Sequence, residues 1–224
     1  MLELYVLVAI TLTLNTALIG VLSWAYRAPR FSGKRIHPGP GMQLPWPHRM
    51  RMMSMTSTLS LLIVLGTIYF GFERLFTTAP TPAYVIALQA AGILLVYDFT
   101  YYFAHRAMHH PKALRYVHGI HHRARNPSSL EALYQHPAEL LVGLFLLFGS
   151  TYVVGPVHIH AFAATFFVYS ILNILVHSGL DTKSALLRPI DFLTRKHHVH
   201  HHDDPQKNYS SLTPLPDLLF GTAG

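Results

Sequence analysis

From Leu2 to Trp24 the chain is predominantly apolar and holds one charged residue, Glu3. Backbone placed in hydrocarbon must satisfy every N–H and C=O internally, which leaves the α-helix as the way for a single segment to cross a membrane. Such a helix needs about 20 residues. Apolar stretches also cover Thr56 to Phe72, Ala83 to Phe103, and Leu140 to Val176, the last broken at Gly155-Pro156. The first and third are clear spans and the second is short. The fourth predicts a hairpin that crosses twice, or dips in and returns. The expected fold is an all-α integral membrane protein of about four to five hydrophobic helical segments.

Composition agrees: 51% of the 224 residues are hydrophobic, only 12% are charged, and the mean hydropathy is +0.30. Cysteine is absent. That excludes disulfide frameworks, cysteine-ligated iron–sulfur clusters, thiolate haem and thiol nucleophiles, so any metal must have N or O ligands. The net charge of +7 comes from basic residues beside apolar runs, where they read as membrane-flanking charges. No nucleic-acid motif is present and no nucleic-acid partner is expected.

The segment from Tyr26 to Arg51 carries Arg27, Arg30, Lys34, Arg35, Arg49 and Arg51 and no acid, which places it in the cytoplasm. The first span has no basic region ahead of it and reads as an uncleaved anchor. Pro38 to Pro47 reads as a loop between spans rather than a domain boundary. The second span then leads out and the third returns. The loop from His105 to Glu139, with Arg106, Lys112, Arg115, Arg123 and Arg125, lies inside, and so does the tail after His177. Of 17 histidines, this topology puts only His158 and His160 on the far side. The clustered ones share one face, as a histidine-rich helical cap.

The clusters form three boxes. In "DFTYYFAHRAMHH", His105 and His109 are four residues apart and share a helical face. In "HGIHH", His118 and His121 share a face while His122 is turned about 100° from His121. Adjacent histidines of this kind can serve two different ions. The third box, "RKHHVHHHDDPQKNY", is broken by Val199 and runs on into ordinary sequence, unlike a purification tag. It holds the H-x2-H-H spacing in two registers: His197, His200 and His201, which is preferred because it leaves His202-Asp203 to start a turn, or His198, His201 and His202. Imidazoles packed this closely repel one another if protonated, and a metal that keeps them neutral removes the conflict. All-imidazole ligation suits zinc, copper, iron and nickel. Eight or more histidines favour two ions with open positions over a closed four-ligand zinc site.

This set of boxes on hydrophobic spans resembles the membrane-bound fatty acid hydroxylase and sterol desaturase superfamily, from about Asp98 to Thr222. The first box is similar to that family's D-x3-Y-x2-H-R-x2-H pattern through Asp98, Tyr102, His105, Arg106 and His109. "HGIHHRARNPSSLEALYQHPAEL" is similar to its second box and downstream H-P-x-E, here His136, Pro137 and Glu139. "KNYSSLTPLPDLLFGT" resembles its closing segment, with Ser210 in place of the usual glycine and Pro216 in place of tryptophan.

The resemblance implies a catalytic region over residues 98–224, following N-terminal spans over 1–97, within one domain. It implies two iron ions, O2 as co-substrate, an external electron donor of ferredoxin or cytochrome b5 type, and hydroxylation or desaturation of a membrane lipid of sterol or fatty acyl type. It adds His177, near the return of the hairpin, as a ninth ligand candidate. Asn173, one turn earlier, is a weaker one.

Asp98, seven residues before His105, is expected to accept the free N–H of a ligand imidazole. His136 and Glu139 are expected in similar roles. Arg106 is expected to pair with a carboxylate or a lipid phosphate. Phe99, Tyr101, Phe103, Phe166, Phe167 and Tyr169 are candidates to line a lipid passage. Two other readings are a histidine-rich metal transporter or buffer, which would place ligands near mid-bilayer, and a family scaffold without catalysis.

Overall fold

The computed structural model describes residues 1–37, 42 and 44–224. Five helices are long and apolar enough to cross a membrane: α1 (Leu2–Arg27), α2 (Trp46–Leu75), α3 (Ala83–Met108), α6 (Pro137–Val154) and α7 (Ile159–Val176). Between α3 and α6 lie two short helices, α4 (Pro111–Ala113) and α5 (Gly119–His121), joined by a π-turn over Leu114–His118. After α7 come the polar helix α8 (Arg188–His202) and the short α9 (Leu215–Leu219).

The second span is longer than its apolar stretch implies. α2 begins ten residues earlier, at Trp46, with Pro45 at its N-cap and Pro47 in its first turn. Proline there fixes a helical φ and gives up an N–H that has no intrahelical partner anyway. The extra turns carry Arg49, whose guanidinium pairs with Glu131 in the loop before α6. The loop expected over residues 38–47 therefore ends before Trp46, and residues 38–41 and 43 lie outside the described residues. The break at Gly155 is the hairpin tip between α6 and α7; its φ of 108° is one that favours glycine.

Two sets of contacts tie the ends of the helices together. At one end, β1 (Phe76–Thr77), just after α2, pairs in parallel with β2 (Val157–His158) at the hairpin tip. At the same end His160 Nε2 lies 2.8 Å from the Glu3 carboxylate. At the other end, the segment after α1 bridges the segment after α7: the Ile36 N–H donates to the Gly179 carbonyl (3.0 Å) and the Asp181 N–H to the Lys34 carbonyl (2.7 Å). A Cβ at Gly179 would stand 2.4 Å from the Pro127 carbonyl oxygen, so this crossing needs glycine. His158 and His160 thus sit at the end opposite the three boxes.

The core between the helices is formed by side chains such as Leu4, Ile68, Ile93, Tyr97, Leu147 and Phe162, all almost fully buried. α3 packs on α6 and α7, α1 packs chiefly on α7, and α2 on α6. Large apolar side chains such as Phe70 and Phe145 point outward, as expected of surfaces that meet lipid.

Because the chain has no cysteine, introduced thiols report sidedness cleanly. In sealed vesicles, Thr81→Cys should react with a membrane-impermeant maleimide from one side, and Lys112→Cys and Lys183→Cys from the other. Labelling of positions 112 and 183 from opposite sides would contradict the arrangement.

Candidate metal centre

The histidines of the boxes meet where α3, α5, α7 and α8 converge. His105, His109, His118, His122 and His200 form one group, and His121, His177, His197 and His201 a second; within each, one nitrogen per imidazole lies within 4.8 Å of all the others. α8 contributes to both. His200 and His201 are adjacent, so they diverge by about 100° around the helix and enter different groups. His198 and His202 lie on another face, with rings 5.5 Å apart, and pack against His37 rather than either group.

His121 and His122 divide in the same way. His118 shares a group with His122, not with His121 as simple helical spacing suggests. The π-turn before it accounts for the difference. The Gly119 N–H reaches back to the Leu114 carbonyl, and a Cβ on residue 119 would stand 2.4 Å from that oxygen. The glycine of "HGIHH" is thus what allows the wider turn, a device common at functional sites.

Backbone carbonyls fix how the rings present their nitrogens. His105 Nδ1 donates to the Tyr209 carbonyl at 2.6 Å, and His200 Nδ1 to the Lys207 carbonyl at 2.6 Å. Their Nε2 atoms lie 3.1 Å apart. In the second group His121 Nδ1 donates to the Tyr134 carbonyl (3.1 Å) and His177 Nδ1 to the Asn173 carbonyl (2.7 Å), with Nε2 atoms 3.1 Å apart. A neutral imidazole has one donor and one acceptor nitrogen. With Nδ1 holding the proton in all four rings, each Nε2 pair is two lone pairs facing each other without a hydrogen between them. A cation at that point turns repulsion into ligation. Metal–nitrogen bonds of about 2.1 Å would let two imidazoles whose nitrogens lie this close share one ion. Both nitrogens of His109 and of His201 are buried without a hydrogen-bond partner, which is likewise what ligands awaiting an ion look like. The residues present fit a metal in each group.

The electrostatics agree. Burial, reinforced by neighbouring imidazoles, pushes His109 down to about 3, and burial pushes His118 down to about 3. His177 falls to about 3 through burial and His121, while His197, His200 and His201 lie well below the ordinary histidine value through burial first and then their neighbouring imidazoles. The groups are therefore neutral at pH 7 and available as ligands.

The other expected residues fall into place unevenly. Glu139 lies 3.0 Å from His118 Nδ1. Asp98 does not meet an imidazole: it accepts from the Leu212 N–H (2.9 Å), the Thr213 N–H (3.0 Å) and the Thr213 hydroxyl (2.6 Å), fixing the tail. His136 Nδ1 accepts from the Ala138 N–H and caps α6. Asn173 serves His177 through its backbone carbonyl, while its side chain lines the adjoining space. Arg106 donates to the Tyr102 hydroxyl, 3.1 Å away, instead of pairing with an acid.

A buried network behind α8 gave no signal in the sequence. Lys196 Nζ lies 2.8 Å from the Asp217 carboxylate and donates to the Ser210 carbonyl (2.8 Å) and hydroxyl (2.6 Å). Asp217 also accepts the Tyr209 N–H at 2.8 Å. The chain that supplies the carbonyl to His105 is therefore pinned on both sides of its peptide. Ser210 is part of this clasp.

Two spaces adjoin the centre. A small pocket of about 20 Å³ touches His105, His121, His177 and His197, with Tyr101 and Glu139 in its wall. A larger cavity of about 320 Å³ lies among α1, α2, α6 and α7. Ala132, Gln135 and Asn173 line both. Of the six aromatics expected along a passage, Phe166 and Tyr169 line the cavity and Tyr101 the small pocket, whereas Phe99 and Phe103 pack on Phe220 and Phe167 is exposed and lines neither space.

Five membrane-length helices carrying two histidine groups at one end define a multi-pass membrane protein with two histidine clusters that could each hold a metal ion. Residues 90–222 match the family model described as fatty acid hydroxylase, and the chain belongs to that family. It is 30% identical over 172 residues to methylsterol monooxygenase 1 of Rattus norvegicus, covering 73% of this chain and 57% of that protein. It is 33% identical over 173 residues to very-long-chain aldehyde decarbonylase GL1-8 of Oryza sativa subsp. indica, covering 72% and 62%. The chain thus spans less than two thirds of the length of either relative. No solved structure matches it.

The neutral histidines set a pH dependence. In the unfolded chain they bind protons below about 6.5, whereas His109, His118 and His177 in the fold resist protonation down to about 3. Stability is therefore fully present above that ordinary value and is lost as pH falls through the window toward 3. The melting temperature of the metal-free protein should drop steadily from pH 7 to pH 4. A flat profile would contradict the burial of these groups.

Proposed function

We propose that this protein is an oxygen-dependent di-iron enzyme that hydroxylates or desaturates an unactivated C–H bond of a membrane lipid of sterol or fatty acyl type. The observation that carries the reading is the convergence of nine imidazoles, lone pairs inward, beside a cavity formed by membrane helices. His105, His109, His118, His122 and His200 would hold one iron, and His121, His177, His197 and His201 the other. Iron bound there supplies the oxygen activation that no side chain of this protein can provide.

What the chain supplies is placement. The carbonyls of Tyr209, Lys207, Tyr134 and Asn173 keep the proton on Nδ1, so each Nε2 stays a ligand, and the Glu139 carboxylate lies beside His118 Nδ1 without a hydrogen bond to it. The small pocket has room for one molecule about the size of water. The adjoining cavity suits one lipid chain or part of a ring system. Its position among the spans allows the substrate to arrive from the bilayer, with the reacting carbon passing Gln135 and Asn173.

Electrons come from a separate protein. Arg106, Lys112, Arg115, Arg123 and Arg125 are exposed around the first two boxes and offer a ferredoxin or cytochrome b5-like donor a basic surface. The positive-inside rule puts that surface in the cytoplasm. A transporter reading is disfavoured, since among the described residues both groups lie at one end of the spans.

The test is turnover of sterol and acyl lipids by iron-loaded protein with a reductase system and isotopically labelled oxygen. Hydroxylation places label in the product; desaturation yields an alkene without it. His200→Ala should lower turnover on the order of 100-fold or more, while His198→Ala should stay within about twofold of wild type. No oxidised lipid from fully iron-loaded protein, or equal losses in both variants, would overturn the proposal.

A further inference from the structure

The cavity among α1, α2, α6 and α7 is not uniformly apolar, and its polar side chains differ in one respect. The Thr16 hydroxyl donates to the Leu12 carbonyl, the Thr56 hydroxyl to the Met52 and Leu133 carbonyls, and the Ser170 hydroxyl to the Phe167 carbonyl. Ser57, Ser60, Gln135 and Asn173 also line the cavity, but among the described residues Asn15 is the one lining side chain with a buried atom left unpartnered: it is 8% exposed, and its Oδ1 has no hydrogen-bond partner.

Asn15 precedes Arg27, the last residue of α1, by twelve positions, about 18 Å along the axis at 1.5 Å per residue. That is near the middle of a hydrocarbon core about 30 Å thick. An orphaned amide oxygen there is costly, and polar groups at such depth mark substrate paths by default. The partner is a neutral hydrogen-bond donor that enters the cavity: water when the cavity is empty of lipid, and a group on the lipid when it is filled. A hydrocarbon cannot supply it and a charged headgroup would be stripped of water.

The cavity also has a way in. α1 packs chiefly on α7 and α2 on α6, leaving a seam between α1 and α2. An outward-facing apolar groove runs along that seam, and Leu12 and Leu61 line both groove and cavity.

Resting on the lipid-oxidation reading, we propose that Asn15 is a specificity determinant: its Oδ1 accepts a hydrogen bond from a hydroxyl on the substrate, which enters through the α1–α2 seam. The substrate is then a neutral hydroxyl-bearing lipid, seated with that hydroxyl deep in the cavity and its reacting carbon toward Gln135 and Asn173. Asn15 selects and positions; it takes no part in the chemistry.

A matched pair of probes tests this without knowing the natural substrate. Binding of dodecan-1-ol and of dodecane to the iron-loaded protein in nanodiscs is measured, with empty nanodiscs as the partition control. Wild type should prefer the alcohol by about five- to tenfold, the worth of one buried neutral hydrogen bond. Asn15→Leu should bind both equally while keeping its iron; Asn15→Val is the second variant if leucine does not assemble. Equal binding by wild type, or a preference that survives in a folded variant, would overturn the inference. Lipid oxidation measured in parallel separates the two readings: preference without turnover removes the enzymatic one, and turnover without preference removes the role of Asn15.

Discussion

Four imidazoles give their Nδ1 protons to backbone carbonyls, and the remaining lone pairs meet in pairs 3.1 Å apart. Left alone, that arrangement opposes folding: the rings are buried, the lone pairs repel, and protonation to relieve them would bury charge. The rest of the structure is arranged to impose it. The Lys196–Asp217–Ser210 clasp holds the segment that offers the Tyr209 carbonyl. Asp98 ties down Leu212 and Thr213 just beyond it, and Gly119 permits the π-turn that swings His118 toward His122. Strain concentrated at one site and stabilised from around it is how a folded chain stores binding energy for an absent partner.

The membrane helices do two jobs at once. They bring the ends that carry histidines to one face, through the crossings of residues 34–36 with 179–181, while the tips at the other end are held by the short β1–β2 pairing. They also fail to close on one another along α1 and α2, where the groove and the cavity open toward the centre. A helix bundle packed tightly on every side would hold the metal groups equally well and would offer a lipid no route to them.

Much of this was legible in the sequence because it follows from period and length alone. Apolar stretches of span length gave the helices, and the Gly155-Pro156 break gave the hairpin tip. The H-x2-H-H spacing of the third box brought His197, His200 and His201 inward, with His198 and His202 turned aside. The π-turn was not legible, since a five-residue hydrogen bond looks in sequence like any helical turn. Nor were the partners of Asp98 and His136, because backbone N–H groups are present at every position and leave no mark on composition. The start of α2 is invisible in the apolar pattern for a related reason: the helix extends past the apolar stretch, where Arg49 finds Glu131.

The most direct test of the central claim is the metal content of detergent-purified protein carrying no added histidine tag, grown with adequate iron. Close to two metal ions per chain are expected, iron when iron is available, with both lost together when the carbonyl-anchored rings are disturbed. A stoichiometry of one, or protein that folds with intact boxes and retains no metal at all, would contradict it.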